Sequence, residues 1–281
     1  SAGIPSRRSL LRCPFALGLL LAAHALVSPG VAATTGDALR AQLAAASPGA
    51  TLHVAAGSYD GPFVIEKKLH LVGAPGAVLQ GAGRGRVVSI SAPDVELGGF
   101  VVRGSGRNLS DDDAALYITG DRAFIPDNRV TDMLHGIYVR KANDCRILHN
   151  TVLGDGATDE AIADPVTSGL KAGDAASPEL CSATASQDRR GNGIHLWNSS
   201  GHIVAHNTIR GTRDGIYFSF TSHTRTEDNI VTHVRYGLHY MYSDENSFTG
   251  NTFSENAAGA ALMYSKKLVL RGNRFIANRS Q

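Results

Sequence analysis

Two residue types return with a period of about 22 residues along the second half of this chain. The glycine column is Gly193, Gly215, Gly237 and Gly259, and the asparagine column, at a constant offset from it, is Asn207, Asn229, Asn251 and Asn273. Gly136 and Asn150 keep the same offset, and Asn128 lies one period before Asn150. This period is too short for a helical-hairpin repeat of about 34 residues. The chain is therefore predicted to form a solenoid in which each repeat is one coil.

Within a repeat, apolar residues alternate with polar ones, as in residues 237–241, Gly-Leu-His-Tyr-Met. Alternation with period 2 is typical of β-strands, and stacked repeats pair their strands with the coils on either side, about 4.8 Å away. The sequence thus predicts an all-β fold, a right-handed parallel β-helix with about 22 residues per coil. The columns one and three residues after each glycine are expected to fill its interior: Ile137, Ile194, Ile216, Leu238 and Ala260, and Val139, Leu196, Phe218, Tyr240 and Leu262.

Both repeating columns are interpreted as structural. Identical asparagine side chains stacked at a turn can hydrogen-bond from coil to coil, and asparagine tolerates unusual backbone angles. The glycines are expected to mark turns that need a positive φ or a close approach between chains. Residues 37–46 have an amphipathic pattern, which predicts a short N-terminal helix that caps the open edge of the first coil.

The N-terminal segment has the pattern of an exported protein. Its positive residues are Arg7, Arg8 and Arg12, followed by an apolar run over 15–27 and small residues at 31–33. This pattern predicts a cleaved secretory signal peptide, residues 1–33, and a periplasmic location. The chain has 27 basic residues, including those three arginines, and 25 acidic residues. The remainder therefore has a nearly balanced charge, which gives no indication of a nucleic-acid partner.

The β-helix domain is predicted to span residues 34–281 and to carry one insertion. Gly136 and Gly193 are separated by more than two periods, and the aperiodic segment at about 155–192 is expected to leave the solenoid as a surface loop. The sequence leaves two alternatives open: Cys145 and Cys181 form a disulfide, or they remain two free thiols. Because Gln281 falls one full period after Gly259, on a coil boundary, we expect the natural protein to continue with further coils.

Outward-facing positions beside the core carry the candidate chemistry. Two residues after the glycines come Tyr138, His195, Tyr217, His239 and Ala261, and four residues after them come Arg140, Trp197, Ser219, Met241 and Met263. Residues two apart on a strand share a face, so His239, Met241 and Met263 can converge in an exposed stripe that His195 extends. Imidazole and thioether ligands suit Cu(I). We therefore expect a transient copper site at His239, Met241, Met263 and His195, with packing against a partner as the alternative.

Catalysis is the less favoured function. Parallel β-helices often act on acidic polysaccharides, which needs clustered carboxylates that hold Ca²⁺, or a base with a nearby Arg or Lys. The acidic run 111–113 is interpreted as a solvated turn, and Arg213 and Asp214 are placed at a turn without matching acids in neighbouring coils. A polysaccharide lyase or epimerase is the alternative function, and a passive scaffold is a third.

Several strings resemble the NosD family, the periplasmic β-helix proteins of nitrous oxide reductase maturation. They are residues 191–198 (Gly-Asn-Gly-Ile-His-Leu-Trp-Asn), 213–217 (Arg-Asp-Gly-Ile-Tyr), 235–243 (Arg-Tyr-Gly-Leu-His-Tyr-Met-Tyr-Ser) and 261–265 (Ala-Leu-Met-Tyr-Ser). The resemblance implies a non-enzymatic accessory protein that helps build the copper-sulfur site of nitrous oxide reductase. It implies as partners an ABC transporter of the NosF/NosY type, the copper chaperone NosL and nitrous oxide reductase itself.

Overall fold

A computed structural model describes residues 36–155 and 190–280 of the chain. The described residues form one helix, α1 (Gly36–Ala45), and strands that we number along the chain and that assemble into three sheets. Sheet A contains β1 (Thr51–Val54), β4 (His70–Gly73), β7 (Glu96–Gly98), β10 (Phe124–Pro126), β13 (Arg146–Leu148), β16 (Ile203–Ala205), β19 (Arg225–Glu227), β22 (Ser247–Thr249) and β25 (Val269–Arg271).

The other two sheets are built in the same order. Sheet B contains β2 (Gly57–Asp60), β5 (Ala77–Gln80), β8 (Val101–Arg103), β11 (Arg129–Thr131), β14 (Thr151–Leu153), β17 (Thr208–Arg210), β20 (Ile230–Thr232), β23 (Thr252–Ser254) and β26 (Arg274–Ile276). Sheet C contains β3 (Phe63–Ile65), β6 (Val88–Ile90), β9 (Ala114–Ile118), β12 (His135–Arg140), β15 (Ile194–Ser200), β18 (Asp214–Ser222), β21 (Tyr236–Met241) and β24 (Ala258–Met263).

Each coil contributes one strand to each sheet, and each strand pairs in parallel with the strand three places further along the chain. Ile194 pairs with Ile216, Ile216 with Leu238 and Leu238 with Ala260, so the register equals the period of the sequence. The predicted parallel β-helix is confirmed. The predicted cap is confirmed as well, because α1 buries Leu39 and Leu43 against the first coil. Within the described ranges, no helix is both long and apolar enough to cross a membrane.

The glycine column allows neighbouring coils to approach each other closely. A Cβ atom at Gly237 would lie 2.6 Å from the carbonyl oxygen of Gly259 and 2.8 Å from the ring of Phe253. Gly215 meets the equivalent carbonyl oxygen, that of Gly237, at 2.7 Å. The expectation of turns with positive φ at this column is wrong, because these glycines have negative φ and lie in or beside the strands of sheet C. A side chain is excluded there because neighbouring backbones and core side chains fill the space.

Strand pairing continues in register across the predicted insertion. Ile137 pairs with Ile194 and Val139 with Leu196, although more than two periods of sequence separate each pair. The coils on either side are therefore direct neighbours. The predicted loop at 155–192 lies almost entirely outside the described residues, as do Cys181 and the predicted signal peptide. Cys145 is described, and its side chain is fully buried in the core.

The asparagine column forms a continuous buried ladder. The Nδ2 atom of Asn229 donates to Oδ1 of Asn251 at 2.8 Å and to the carbonyl oxygen of Val204 at 2.9 Å. Its Oδ1 accepts from both the backbone N–H and the Nδ2 of Asn207 at 2.9 Å. Equivalent bonds join the ladder residues Asn128, Asn150, Asn207, Asn229, Asn251 and Asn273. The predicted structural role of this column is confirmed.

The residue before each ladder asparagine has a left-handed backbone. The residues at this corner are Asp127, His149, His206, Asp228, Gly250 and Gly272, with φ between 52° and 69°. Glycine and, among the other residues, Asp, Asn and His are the types that adopt this conformation most readily. The corner therefore restricts residue type for backbone reasons and at the same time points a short row of side chains outward.

Candidate functional site

Sheet C carries the predicted functional column on its outer face. Tyr138 pairs with His195, His195 with Tyr217, and Tyr217 with His239, each in the neighbouring coil. The column ends at Ala261, which pairs with His239. Because alternate residues of these strands fill the core, the backbone holds the outward side chains in line along the axis of the solenoid.

Ring contacts hold this column together. The imidazole of His195 stacks on the ring of Tyr138, with centroids 4.2 Å apart and planes inclined by 1°. The ring of Tyr217 stands edge-on to both histidines, with centroids 4.5 Å from His195 and 4.6 Å from His239. Tyr217 therefore lies between the two imidazoles and separates them.

Asp214 lies one position before the glycine column and reaches the next coil. Its Oδ2 atom is 2.9 Å from Nδ1 of His239, which follows it by 25 residues. The guanidinium of Arg235 binds the same carboxylate with two bonds, Nε to Oδ1 at 2.9 Å and Nη2 to Oδ2 at 2.8 Å. Burial alone would raise the pKa of this fully buried carboxyl group, but the bonds from His239 and Arg235 outweigh it and hold the pKa below its ordinary value.

This contact decides which nitrogen of His239 carries a lone pair. An ionised carboxylate only accepts hydrogen bonds, so Nδ1 of His239 is protonated and Nε2 of the neutral ring is not. The Nε2 atom is buried and has no hydrogen-bond partner. Histidine ligands of metals commonly donate their other N–H to a carboxylate, which fixes the tautomer and the ring orientation. Like such ligands, His239 makes this contact with a carboxylate.

The two predicted sulfur ligands lie beside His239. Met241 is two residues further along strand β21, and it pairs with Met263 on strand β24. Both methionines are partly exposed. The hydroxyl of Tyr217 donates to the sulfur of Met241 at 3.5 Å, which places that sulfur on the same face as the histidine column. Met241 and Met263 therefore lie one coil apart on adjacent strands of sheet C, and Met241 is two residues from His239.

The predicted stripe differs from the structure in two respects. His239 is only 9% exposed, because Tyr217, Tyr236 and Asp214 surround its ring, so the expectation of an exposed histidine is wrong. His195 lies two coils away with Tyr217 in between, so the structure does not bring it to His239, Met241 and Met263. Burial lowers the pKa of His195 below its ordinary value, with a further contribution from His135.

Asp214 and Arg235 are functional candidates that the sequence interpretation missed, because it places Asp214 at a turn. Asp214 in fact opens strand β18, and Arg235 directly precedes β21. The signal lies in the spacing, since an offset of 25 residues places Asp214 one coil below His239 and three positions earlier. Such diagonal neighbours are close enough for long side chains to meet.

Oxygen-rich and cysteine-containing metal sites have no support in the described ranges. No group of three or more His, Cys, Asp or Glu side chains is placed there to hold a metal ion. Burial raises the pKa of the Cys145 thiol to about 12, so this cysteine stays protonated.

Solved structures similar to this chain share its fold. An endo-xylogalacturonan hydrolase from Aspergillus tubingensis aligns with a TM-score of 0.55 and 12% identity, covering 86% of this chain and 70% of that one. An alginate lyase from Paenibacillus aligns with a TM-score of 0.52 and 13% identity, covering 88% and 97%. At such identities the likeness concerns the parallel β-helix alone.

Sequence comparison gives a closer relationship. Residues 176–281 match the family model described as "Periplasmic copper-binding protein (NosD)". The "Probable ABC transporter binding protein NosD" of Stutzerimonas stutzeri is 37% identical over 162 residues, which cover 57% of this chain and 31% of that protein. Its Pseudomonas aeruginosa namesake is 31% identical over 164 residues, covering 58% and 32%. The chain thus spans about a third of the length of these relatives. Over the matched residues the chain is therefore similar to NosD proteins.

Proposed function

We propose that this chain is a periplasmic accessory protein that helps to assemble the copper-sulfur site of nitrous oxide reductase. The family model is described as periplasmic and copper-binding, and the two curated relatives are named as binding proteins of an ABC transporter. The partners of this role are an ABC transporter of the NosF/NosY type, the copper chaperone NosL and nitrous oxide reductase. In this proposal residues 1–33 act as the export signal.

The observation that carries the proposal is the unpartnered Nε2 atom of His239. Asp214 holds the proton of the ring on Nδ1, and Met241 and Met263 pair with each other in adjacent strands. A neutral imidazole with two thioethers is a soft, uncharged ligand set, which favours Cu(I) over Zn²⁺ and Ca²⁺. Copper is the cargo here, and partly exposed methionines give it a route on and off.

Such a site suits transfer better than storage. A closed, four-coordinate cage holds its metal firmly, whereas one buried imidazole and two partly exposed thioethers leave a position open to a ligand from a partner. The neutral set also avoids the net negative charge that would attract harder divalent cations. We therefore assign the Cu(I) ion to His239, Met241 and Met263, and keep His195 as a separate prediction because Tyr217 stands between the two histidines.

A Cu(I) competition titration tests this proposal. The full chain is titrated under reducing conditions against a chromophoric Cu(I) chelator, and about one Cu(I) per chain is expected to bind. The double variant Met241→Leu, Met263→Leu should weaken binding at least tenfold, and His239→Gln should do the same, because each removes ligands while keeping the volume of the side chain. Circular dichroism checks that both variants retain the β-helix.

The chain offers a matched control. Met133→Leu removes the third methionine of the protein, which is buried in the core away from sheet C's outer face, and its Cu(I) affinity should match the wild type. His195→Gln tests the remaining predicted ligand separately. Wild-type Cu(I) affinity in the Met241, Met263 double variant would overturn the site and leave the stripe as a surface for partner docking.

A further inference from the structure

Two histidines face each other at the left-handed corner before the asparagine ladder. His149 and His206 occupy this corner in adjacent coils, with φ of 57° at both. Their imidazole rings are stacked with centroids 4.8 Å apart and planes inclined by 9°. Both side chains are exposed. The corner lies between sheets A and B, so the pair is on a different side of the solenoid from the site on sheet C.

The backbone fixes the spacing of this pair on both sides. Leu148 pairs with Ala205 before the corner, and Thr151 pairs with Thr208 after it. The N–H of His149 itself donates to the carbonyl oxygen of Ala205 at 3.1 Å, and the N–H of His206 to that of Glu227 at 3.0 Å. The two Cα positions therefore stay one coil apart whatever the side chains do.

The imidazoles of His149 and His206 differ in their partners from other histidines that have a left-handed backbone, because those histidines bind carboxylates. His223 bonds the carboxylate of Glu245 at 2.7 Å, and His233 bonds that of Glu255 at 2.9 Å. Among the described residues, neither the His149 ring nor the His206 ring makes a hydrogen bond or an ion pair with another side chain. The two exposed imidazoles therefore lie side by side with no competing side-chain partner in the described ranges.

We infer that His149 and His206 form a second metal site, which is exposed at the surface and binds a borderline divalent cation. Among such cations Cu²⁺ is expected to bind most tightly. Imidazole is the common protein ligand of such ions, and for a given nitrogen site the affinity rises to a maximum at Cu²⁺ and falls again at Zn²⁺. Metal–nitrogen bonds are about 2.0–2.1 Å long, so the rings must tip their outer edges together. Exposed side chains on a fixed backbone can make that movement.

The charges at the same corner favour a cation. Asp127 precedes His149 by one coil and Asp228 follows His206 by one coil, both at the equivalent left-handed position. The two carboxylates lie on either side of the histidine pair along the axis of the solenoid. They are not proposed as metal ligands, but their negative charge favours a cation. An open site with two protein ligands and water in the other positions is expected to bind Cu²⁺ weakly compared with a closed cage, and to exchange it quickly.

Titration of the full chain with CuCl₂ under air, followed by electron paramagnetic resonance, tests this inference. One Cu²⁺ with a signal from nitrogen ligands is expected, and Zn²⁺ should compete only at higher concentration. His149→Gln and His206→Gln should each weaken Cu²⁺ binding at least tenfold and by similar factors, because either change leaves a single ring. Circular dichroism confirms that the variants keep their β-structure.

Two controls separate this site from other histidines and from the Cu(I) site. His223→Gln also removes an exposed histidine in a left-handed conformation, and it should leave Cu²⁺ affinity unchanged. The Met241→Leu, Met263→Leu variant should keep Cu²⁺ at the pair even where Cu(I) binding is lost. The inference is overturned if His149→Gln binds Cu²⁺ like the wild type, if His223→Gln weakens binding equally, or if the methionine variant loses the Cu²⁺ signal.

Discussion

The Oδ2 atom of Asp214 lies 2.9 Å from the Nδ1 atom of His239, across the boundary between two coils. The carboxylate is completely buried and is also held by two bonds from Arg235. The tautomer of a histidine is set by the partner of its other nitrogen, so this contact turns an ordinary outward-facing residue into one with a directed lone pair. The arrangement depends on coil stacking, because the two residues are 25 positions apart in the chain.

Replacement of Asp214 by asparagine should therefore impair copper binding without touching a ligand. The new amide can donate to Nδ1, which would shift the proton of His239 to Nε2 and remove its lone pair. Cu(I) affinity measured by chelator competition should fall by at least tenfold, close to the effect of His239→Gln. Asp94→Asn, at an exposed ion pair with Arg122, is the control and should bind Cu(I) normally. Normal binding in Asp214→Asn would show that the carboxylate does not set the tautomer.

The same substitution should lower the free energy of unfolding by about 3 kcal/mol, because it removes the buried negative charge that Arg235 and His239 bind. Urea unfolding followed by circular dichroism measures this loss. Asp94→Asn should cost far less, since its ion pair is exposed to solvent. Equal losses in the two variants would mean that the Arg235 pair contributes no more than a surface contact.

Asn229→Ala should destabilise the protein by about 1–3 kcal/mol, because it leaves buried hydrogen-bonding groups of two neighbouring coils without partners. Asn207 loses an acceptor for its N–H and its side-chain amide, and Val204 loses a donor to its carbonyl oxygen. Asn273→Ala, at a more exposed rung, should cost less. Chemical denaturation of both variants gives the comparison, and an unchanged stability in Asn229→Ala would contradict the role of the ladder.

The buried histidine His202 should make the protein sensitive to acid. Its Nδ1 accepts the N–H of Cys145, and burial lowers its pKa to about 4 from an ordinary value of 6.5. The unfolded chain binds the proton more readily, so stability is complete above pH 6.5 and is lost as the pH falls toward 4. The single histidine accounts for about 3–4 kcal/mol of this loss, by the usual 1.4 kcal/mol per pKa unit.

His202→Thr tests this acid sensitivity. In the next coil Thr224 accepts the N–H of His202 with its hydroxyl, so threonine at position 202 can keep the bond to Cys145. The variant should show a flatter dependence of unfolding free energy on pH over that range. His135, whose pKa burial lowers to about 3, leaves a residual dependence. A pH profile identical to the wild type would contradict the prediction.

Acidic polysaccharides should not be degraded by this chain. Both oxygens of Asp214 are engaged by Arg235 and His239, and the Tyr217 hydroxyl points at the sulfur of Met241, so these groups are not free to abstract a proton from a sugar. Incubation with alginate or polygalacturonate and Ca²⁺ should yield no absorbance from unsaturated uronates. Product above background that disappears in Tyr217→Phe would establish a lyase instead.

The coil architecture could be predicted in detail because period, register and face all follow from identical residues at fixed spacing. Asn229 and Gly237 show this, since their columns give the pairing of every coil around them. The site was only partly predictable. Residues two apart on one strand, such as His239 and Met241, follow from alternation. The diagonal contact from Asp214 does not, because it depends on how far a side chain reaches across a coil boundary.

The sequence wrongly groups His195 with His239, Met241 and Met263, and the cause is again the geometry of side chains. A column in the sequence shows which residues share a face, but it does not show that an aromatic ring can stand between two of them. Tyr217 belongs to the column, and its edge-on packing against both imidazoles is a property of side-chain geometry. The sequence overestimates the exposure of His239 for the same reason, since the side chains packed around its ring come from two coils.

Uninterrupted pairing of Ile137 with Ile194 makes the length of the chain between them independent of the geometry on either side. The coils that follow β15 stack in the same register as those before it, so Asp214, His239 and Met241 keep the positions that regular stacking gives them. A reporter domain inserted between Asp155 and Arg190 should therefore leave the pairing of β12 with β15 unchanged.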